Sequence, residues 1–384
     1  MAWVASLDGE FKLGQSLTLS VIPYFQYGDG DGSFPGFLPL QPGAGGRPTV
    51  QPDQAADGQY AVYEAYRPTT YRPGITAKFT LDTGLNNTLD WGFWYERSRQ
   101  LEAINASYVD PLTGQPESIW GDDRLLTYAN GKPWRNYVEY DVTTVKKAYV
   151  EDTWNPFEAW TFNAGLAYLY SERDNSFSYY PGNPDPGFTY AQHTDNRFHK
   201  VLPTLGVSWR PDDNNQIYYS ITRTFRAPVD ASTFGNSTLG LPPPKPESAW
   251  SSDLGWRYES GPLSLHADAY LALMGNRTAS GVNENTFINY YIDAGPVRMA
   301  GLNAEGSFDF GHGFSLYGSY TYTQAKVKSD LSLPDPTDGG SDVYATRGKQ
   351  FPGTPRNMAY LGARYASAGW IVDLDAKFTG SEYG

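Results

Sequence analysis

The sequence predicts an all-β chain, a transmembrane antiparallel up-and-down β-barrel. Three observations predict it: alternation of apolar and polar residues with period two, connections that are by turns short and long, and aromatic residues gathered near strand ends. Residues 262–276 show one repeat. Leu263, Leu265, Ala267, Ala269, Leu271 and Leu273 fall on one face, and Ser264, His266, Asp268 and Tyr270 on the other, because successive side chains of a strand point to opposite sides. Long amphipathic strands with tight turns at one end and long loops at the other are the pattern of a membrane barrel.

About fourteen strands can be placed. Short connections, rich in Gly, Asp, Asn and Pro, fall at 8–14, 82–87, 153–158, 210–215, 259–262, 311–313 and 366–369, residue types that tolerate turn geometry. Longer ones lie between them, at 28–69, 102–135, 174–195, 228–247, 277–284 and 328–354. In an up-and-down barrel alternate turns share a side of the membrane, so the short set is assigned to the periplasm and the long set to the outside. Trp160, Phe162, Ala164, Leu166, Tyr168 and Tyr170 alternate with Thr161, Asn163, Gly165 and Ser171. Likewise Trp370, Val372, Leu374, Ala376 and Phe378 alternate with Asp373, Asp375 and Lys377. A charge facing lipid at the midplane costs roughly 2–4 kcal/mol, so those three charged residues are expected to face the lumen. Trp160, Trp209, Trp256 and Trp370 sit beside short turns, where an aromatic girdle belongs. Residues 284–310 are too long for a single membrane strand. Gly295-Pro296 is expected to place a bulge there, with the upper part projecting beyond the membrane.

Composition narrows the class. The chain of 384 residues could hold two or three ordinary domains, but no composition break divides it, so 1–384 is taken as one barrel domain. No apolar run approaches the ~18 residues of a membrane helix. The mean hydropathy of −0.52 is compatible with a barrel, where only every other residue meets lipid. A net charge of −13 argues against nucleic acid as a partner. The absence of cysteine removes disulfide, Fe–S and thiol chemistry. Residues 1–8 show neither a basic segment nor a long apolar one, so no signal peptide is visible there. A soluble sandwich, propeller or lectin also alternates apolar and polar residues, but does not sort its loops by length.

Several segments resemble the barrel of TonB-dependent outer-membrane receptors of the siderophore-receptor type. Tyr218–Thr224 runs into Phe225-Arg226-Ala227-Pro228. A long loop then ends in Pro246-Glu247 and is followed by Gly255-Trp256-Arg257-Tyr258. Arg298 to Glu305, with Gly301 between, resembles the family's Arg-x-x-Gly-hydrophobic-x-x-Glu strand, and 319–322 and 352–357 follow in the expected order. The ordered motifs cover about 230 residues. The family's plug, TonB-interacting box, signal peptide and terminal aromatic strand are not found. Barrels of this kind have about 22 strands, so the chain is expected to be a partial barrel.

The resemblance implies an outer-membrane receptor surrounded by lipid. Its ligand would be a ferric siderophore or a similarly scarce compound. Contact with the TonB complex would pass only through the missing N-terminal region, and no cofactor and no resident metal are implied. An anionic iron chelate suits arginines and aromatics together. The candidate ligand contacts are Tyr63, Tyr66, Arg67, Tyr71 and Arg72 around the first long connection, Trp120, Arg124, Tyr128, Trp134 and Arg135 around the second, and Tyr179, Tyr180 and Tyr190 around the third. For each, packing within the loops is the competing role. Arg226 and Arg257 are expected in a lumen salt-bridge network with residues such as Glu247. Other readings stay open: a passive porin-like channel, a non-functional truncated receptor, or a barrel-embedded hydrolase using His266 and Asp268. The last lacks any Gly-x-Ser-x-Gly motif, so the chain is read as a non-enzyme. His193, His199, His266 and His312 have no zinc spacing. Asp29-Gly30-Asp31-Gly32-Ser33 opens like a calcium loop, but position 12 is Leu40 rather than Glu.

Overall fold

The structure, a computed structural model, describes residues 1–39, 55–56, 59–110, 112–118, 124–128, 130–181, 190–229, 235–282, 289–334, 341–367 and 369–382. β1 (Ala2–Ser6) and β2 (Gly9–Lys12) both ladder onto β3 (Leu17–Asp29) and are two halves of one strand. β4 (Gly32–Pro39), β5 (Ala55–Ala56) and β6 (Gln59–Tyr66) build the first long connection. Next come β7 (Thr69–Asp82), β8 (Asn87–Tyr108), β9 (Arg135–Phe157), β10 (Trp160–Tyr179), β11 (Tyr190–Trp209), β12 (Asn215–Arg226), β13 (Glu247–Ser260) and β14 (Leu263–Gly275). β15 (Thr278–Val282) and β16 (Asn289–Asp293) form a separate hairpin. β17 (Val297–Gly311) and β18 (Phe314–Val327) return to the main sheet, and β19 (Leu331–Pro334) with β20 (Ser341–Tyr344) makes a second hairpin. β21 (Asn357–Ser367) and β22 (Trp370–Thr379) close the order.

The main sheet is a meander in which each spanning strand pairs antiparallel with the next. With β1 and β2 counted once and β4–β6 assigned to their loop, fourteen strands span it, as the sequence predicts. Among the described residues, β1/β2 pair only with β3 and β22 only with β21. Short turns at 13–16, 83–86, 158–159, 210–214, 261–262 and 312–313 alternate throughout with longer connections. No helix among the described residues is long and apolar enough to cross a membrane.

Several predicted boundaries move because ladders run further than local composition suggests. Residues 9–12, read as a turn, are strand β2. The 153–158 turn shrinks to two residues, with Phe157 still opposite Trp160. β10 and β11 stay paired up to Tyr179 and Tyr190, so the third long connection is 180–189 rather than 174–195. β8–β11 contain 20 to 23 residues each, about twice the ~9–11 that a tilted membrane strand needs, so their upper halves stand above the bilayer. The expected bulge at Gly295-Pro296 is a complete break. β16 turns away to pair with β15, Gly295 adopts φ +86°, and its N–H is taken by the Asp293 carboxylate at 2.8 Å. Pro296 has no N–H to continue the ladder.

The two faces sort as predicted. Leu166, Leu205, Leu254, Leu302 and Leu361 are 51, 56, 54, 56 and 59 % exposed on the outward face, an apolar surface suited to lipid rather than water. Trp160 stacks on Trp209 at 5.6 Å and on Phe162 at 5.8 Å, forming the girdle beside the short turns. Asp375 turns inward to accept a hydrogen bond from Tyr360, and Asp373 lies 3.7 Å from Arg364. Inward tyrosines lie flat across the neighbouring strand. Tyr218 covers Gly255 and Tyr270 covers Gly301, each directly opposite in the ladder, so a Cβ at either glycine would overlap the ring. That accounts for the two motif glycines.

The turn between β11 and β12 is organised by Asp212, whose carboxylate accepts from the backbone N–H groups of Asn214 and Asn215 and from the Asn215 side chain at 2.8–2.9 Å. The Asn215 amide, and after it the Asn214 N–H, hold this carboxyl below the usual carboxylate range. A depressed folded pKa stabilises above the unfolded value of ~3.9 and is lost as pH falls below it. Protection of the Asn214 and Asn215 amides, relative to intrinsic exchange at the same pH, is therefore expected to fall only below about pH 4, and at all pH values in Asp212→Ala. Gly255→Val is expected to cost about 1–3 kcal/mol in denaturant unfolding from detergent, with most of the loss recovered in Gly255→Val/Tyr218→Ala.

Candidate functional site

The extracellular mouth is built by the upper halves of β8–β10, the first two long connections, and the ends of β12–β15. On its inward side Arg72 (β7) bonds Glu96 (β8) through Nη2 at 2.8 Å and Nε at 3.2 Å. Tyr24 (β3) donates to the other Glu96 oxygen at 2.6 Å and accepts from Trp94 Nε1 at 2.7 Å. Glu96 is buried and its charge is matched by Arg72, as a buried carboxylate requires. Arg72 thus fixes the wall, and only part of its guanidinium faces open space.

Around it lies a second inward patch of Tyr66, Tyr137 and Tyr179 with Glu102 and Glu139. Burial, reinforced by a hydrogen bond to Glu102, pushes the Tyr66 hydroxyl pKa up. Burial beside Glu102 and Glu139 does the same for Tyr137. These phenols stay neutral at physiological pH. Tyr137 stacks on Phe177 at 5.4 Å, and Phe177 meets Tyr179 edge-on at 4.7 Å.

The other sequence candidates separate into three groups. Tyr128 and Trp134 are buried with Val62, Ala106 and Leu126 in a small core between the first two long connections, and Tyr180 packs on Trp134 at 6.0 Å. Burial pushes the Tyr128 hydroxyl up to about 12. These three hold loops together. Tyr71, adjacent to Arg72 in sequence, points to the opposite face and joins Tyr27 (5.3 Å) and Phe25 (6.4 Å) in an outward aromatic band. Arg67 pairs with Asp29 at 3.4 Å, Arg135 donates to Asn105 at 3.0 Å, and Arg124 lies 3.7 Å from Glu117 and over the Tyr108 ring. Tyr63 is half-buried in β6, and Tyr190 pairs with Tyr179 in the ladder. Trp120 and Leu40 lie outside the described residues.

The expected Arg226–Arg257–Glu247 network does not form. Glu247 pairs with Arg277 at 2.9 Å and accepts from the Thr278 N–H at 2.8 Å. Arg257, ten residues from Glu247 on β13 and so ~33 Å away at the rise of a strand, lies instead over the Tyr218 ring at 4.8 Å near the short turns. Arg226, directly opposite Glu247 in the ladder, keeps an exposed guanidinium that makes no ion pair among the described residues. It opens with Pro228, Glu247, Arg277, Ser280 and Tyr291 onto a cavity of about 160 Å³. Asn236 pins the loop above this cavity. Its side chain donates to the Pro242 and Tyr291 carbonyls at 2.8 and 2.7 Å and accepts from the Tyr291 N–H at 2.7 Å. Arg277 was missed in the sequence because its partner is set by cross-strand register, whereas Glu96 and Trp94 could have been found as inward positions of β8.

Lower on the inward wall, Tyr218 meets His266 Nε2 at 2.8 Å, His266 Nδ1 lies 3.3 Å from Glu305, and Tyr317 donates to Glu305 at 2.7 Å. His266 and Asp268 do share the inward face, 3.8 Å apart. Both are engaged in wall contacts, Asp268 through Asn303 at 2.9 Å. Glu305 therefore closes a strand-to-strand bridge across β12, β14, β17 and β18. His312 sits at a turn with φ +52°, between two glycines also at positive φ. No cluster of three or more metal-ligating side chains occurs among the described residues.

A meander of spanning strands, an apolar outer surface and a polar inner wall define an outer-membrane β-barrel. The sequence profile described as TonB dependent receptor-like, beta-barrel matches residues 2–384, and the chain belongs to that family, whose members are receptors and transporters of the Gram-negative outer membrane rather than enzymes. A ferrioxamine receptor of Yersinia enterocolitica is 31% identical over 133 residues, 34% of this chain and 16% of that receptor. Among solved structures, the unliganded ferric citrate transporter superposes with a TM-score of 0.67 at 18% identity, covering 99% of this chain and 49% of that one. The ferric yersiniabactin uptake receptor of Yersinia pestis gives 0.64 at 14%, covering 100% and 50%. A copper transporter gives 0.65 at 15%, covering 96% and 51%. The chain spans about half the length of these solved relatives.

Trp134→Ala is expected to cost about 3–5 kcal/mol of loop stability and to expose the connection at 109–134 to protease while the main sheet stays intact. Glu64, buried against Gly36 in the first connection, has its carboxyl pKa raised by desolvation. A raised folded pKa favours the fold at pH values below ~4.3, and the advantage is lost as pH rises through the folded value. Glu64→Gln is therefore expected to slow proteolysis of residues 55–66 at pH 7 and to change little at pH 4.

Proposed function

We propose that this chain forms the barrel wall of a receptor that takes up a ferric siderophore across the outer membrane. Energy would come from the TonB complex through an N-terminal region, and further strands would pair with the open edges of β1/β2 and β22. The observation that carries the reading is Arg226, which makes no ion pair among the described residues, beside Arg277 in a cavity at the extracellular mouth. A second support is the inward tyrosine patch of Tyr66, Tyr137 and Tyr179. Cations with neutral phenols suit an anionic, partly aromatic iron chelate. The ferrioxamine receptor, at 31% identity, supports the ligand class, and the ferric citrate, ferric yersiniabactin and copper transporters share the fold.

Of the earlier candidates, Tyr66, Arg72 and Tyr179 remain as proposed ligand-facing wall, joined by Arg226, Arg277 and Tyr137. The test is binding of a ferric hydroxamate, a ferric catecholate and ferric citrate, read by quenching of tryptophan fluorescence. One of the three is expected to bind, with Arg226→Ala weakening it by about tenfold or more, the range of a lost charge-assisted hydrogen bond. Binding of none, together with TonB-independent flux of small solutes, would overturn the receptor reading in favour of a passive channel.

A further inference from the structure

One side of the extracellular mouth is basic, at Arg226 and Arg277; the wall of β8–β11 is acidic. On its inward face the ladder sets Gln100, Asp141, Asn175 and Thr194 in one row. The next row toward the outside carries Glu102, Glu139, Phe177 and Gln192. Three carboxylates therefore stand within two rows about 7 Å apart, on adjoining strands about 4.8 Å apart. Asp141 and Glu139 are 3 and 8 % exposed. Glu102 lies directly opposite Glu139, and like charges in that position destabilise a ladder. Glu102 accepts hydrogen bonds from the Gln100 side chain and the Tyr66 hydroxyl, neutral donors that leave its charge in place. Arg173, one row below Asn175, is a single guanidinium set against three carboxylates.

A second observation points to a missing donor. Asn175 is 3 % exposed, and neither its carbonyl oxygen nor its amide nitrogen has a hydrogen-bond partner among the described residues. It lies directly opposite Asp141 on one side and Thr194 on the other, and the Thr194 hydroxyl is also buried without a partner. Buried polar groups left unmet cost about 1–3 kcal/mol each. The carboxylates form no cluster of three that could hold a metal ion among the described residues, so their charge suits an organic cation with several N–H donors.

The loop between β12 and β13 joins the two sides of the mouth. Its helical turn at 235–238 holds Tyr291 of the basic cavity through Asn236. Thr238 donates to the Gln192 side chain of the acidic wall at 3.4 Å. Two residues apart in a helical turn, Asn236 and Thr238 point to opposite sides, across a diameter of about 10–12 Å with side chains. The basic cavity and the acidic wall are thus separated by little more than one helical turn.

We propose that the acidic wall is a subsite for a protonated primary amine carried by the ligand. Its N–H groups are donated to Asp141, Glu139 and the Asn175 carbonyl oxygen, Glu102 adds to the field, and the oxygen-rich iron centre faces Arg226 and Arg277. The proposal rests on the uptake reading for the chelate and adds the chemistry of its other end: the ligand is bipolar, with an ammonium arm.

The test uses the protein purified from outer membranes in detergent and two ferric linear trihydroxamates, one ending in a primary amine and the other its N-acetyl form, titrated by calorimetry. The amine form is expected to bind about tenfold or more tightly than the acetylated one, the range of a charge-assisted hydrogen bond. Glu102→Gln/Glu139→Gln, which also relieves the opposed charges, should bring that ratio close to one. Asn175→Leu, which keeps every charge, should lower the ratio about fivefold, the range of one neutral hydrogen bond. Equal binding of the two forms by the wild type, or a ratio unaltered in either variant, would overturn the proposal and leave the uptake reading standing. If neither chelate binds, the uptake reading loses its support, and butylammonium alone decides the subsite. Saturable binding to the wild type that Glu102→Gln/Glu139→Gln abolishes would uphold it, and no binding would overturn it.

Discussion

Everything in this molecule depends on one constraint: inside a bilayer no water is present to satisfy a backbone N–H or C=O, so each must be paired within the sheet. A meander of antiparallel strands meets this with nearest neighbours only, and the continuous ladders from β3 to β22 are that solution. The ladder in turn enforces period two, because a pleated strand sends alternate side chains to opposite faces. One face must then suit lipid and the other water, and a slip of one residue would exchange them. Leu254 and Trp256 outside, with Asp253 and Arg257 inside, are four residues of β13 obeying that rule.

The inner wall shows how the same constraint is met by side chains. Polar groups facing the lumen are mostly tied strand to strand: Glu96 by Arg72 and Tyr24, Glu305 by His266 and Tyr317, Asp375 by Tyr360. Tyrosines provide many of these ties because a ring can lie across a glycine on the next strand and place its hydroxyl beyond it, as Tyr218 does over Gly255 to reach His266. The extracellular mouth departs from this economy. There the sheet outgrows the membrane, small apolar cores around Trp134 and around Val297 support the loops, and Arg226 makes no ion pair among the described residues.

Strand number, turn alternation and the identity of the two faces were legible in the sequence, because they follow from local periodicity and from turn residues. The reach of the strands was not. β8 to β11 continue into what composition presents as loop, since pairing with a neighbour can sustain a strand through polar residues such as 174–179. Side-chain partnership was legible only where neighbours lie in one strand. Glu247 chose Arg277 over Arg226 because of where β15 leaves the sheet, which no local pattern states. Tyr128, Trp134 and Tyr71 looked like ligand contacts by residue type, but burial in a loop core and an outward register assign them to packing and to the membrane interface.

The central claim is that the period-two faces are a lipid face and a lumen face. The natural chain has no cysteine, so single cysteines can be placed one at a time from 263 to 274 on β14 and spin-labelled in a reconstituted bilayer. Collision rates with oxygen, which concentrates in lipid, and with a water-soluble nickel chelate then report the surroundings of each position. High oxygen and low nickel accessibility is expected at 265, 267, 269 and 271, with the reverse at 264, 266, 268 and 270. Uniform accessibility along the strand, or a repeat near 3.6 residues, would contradict the account.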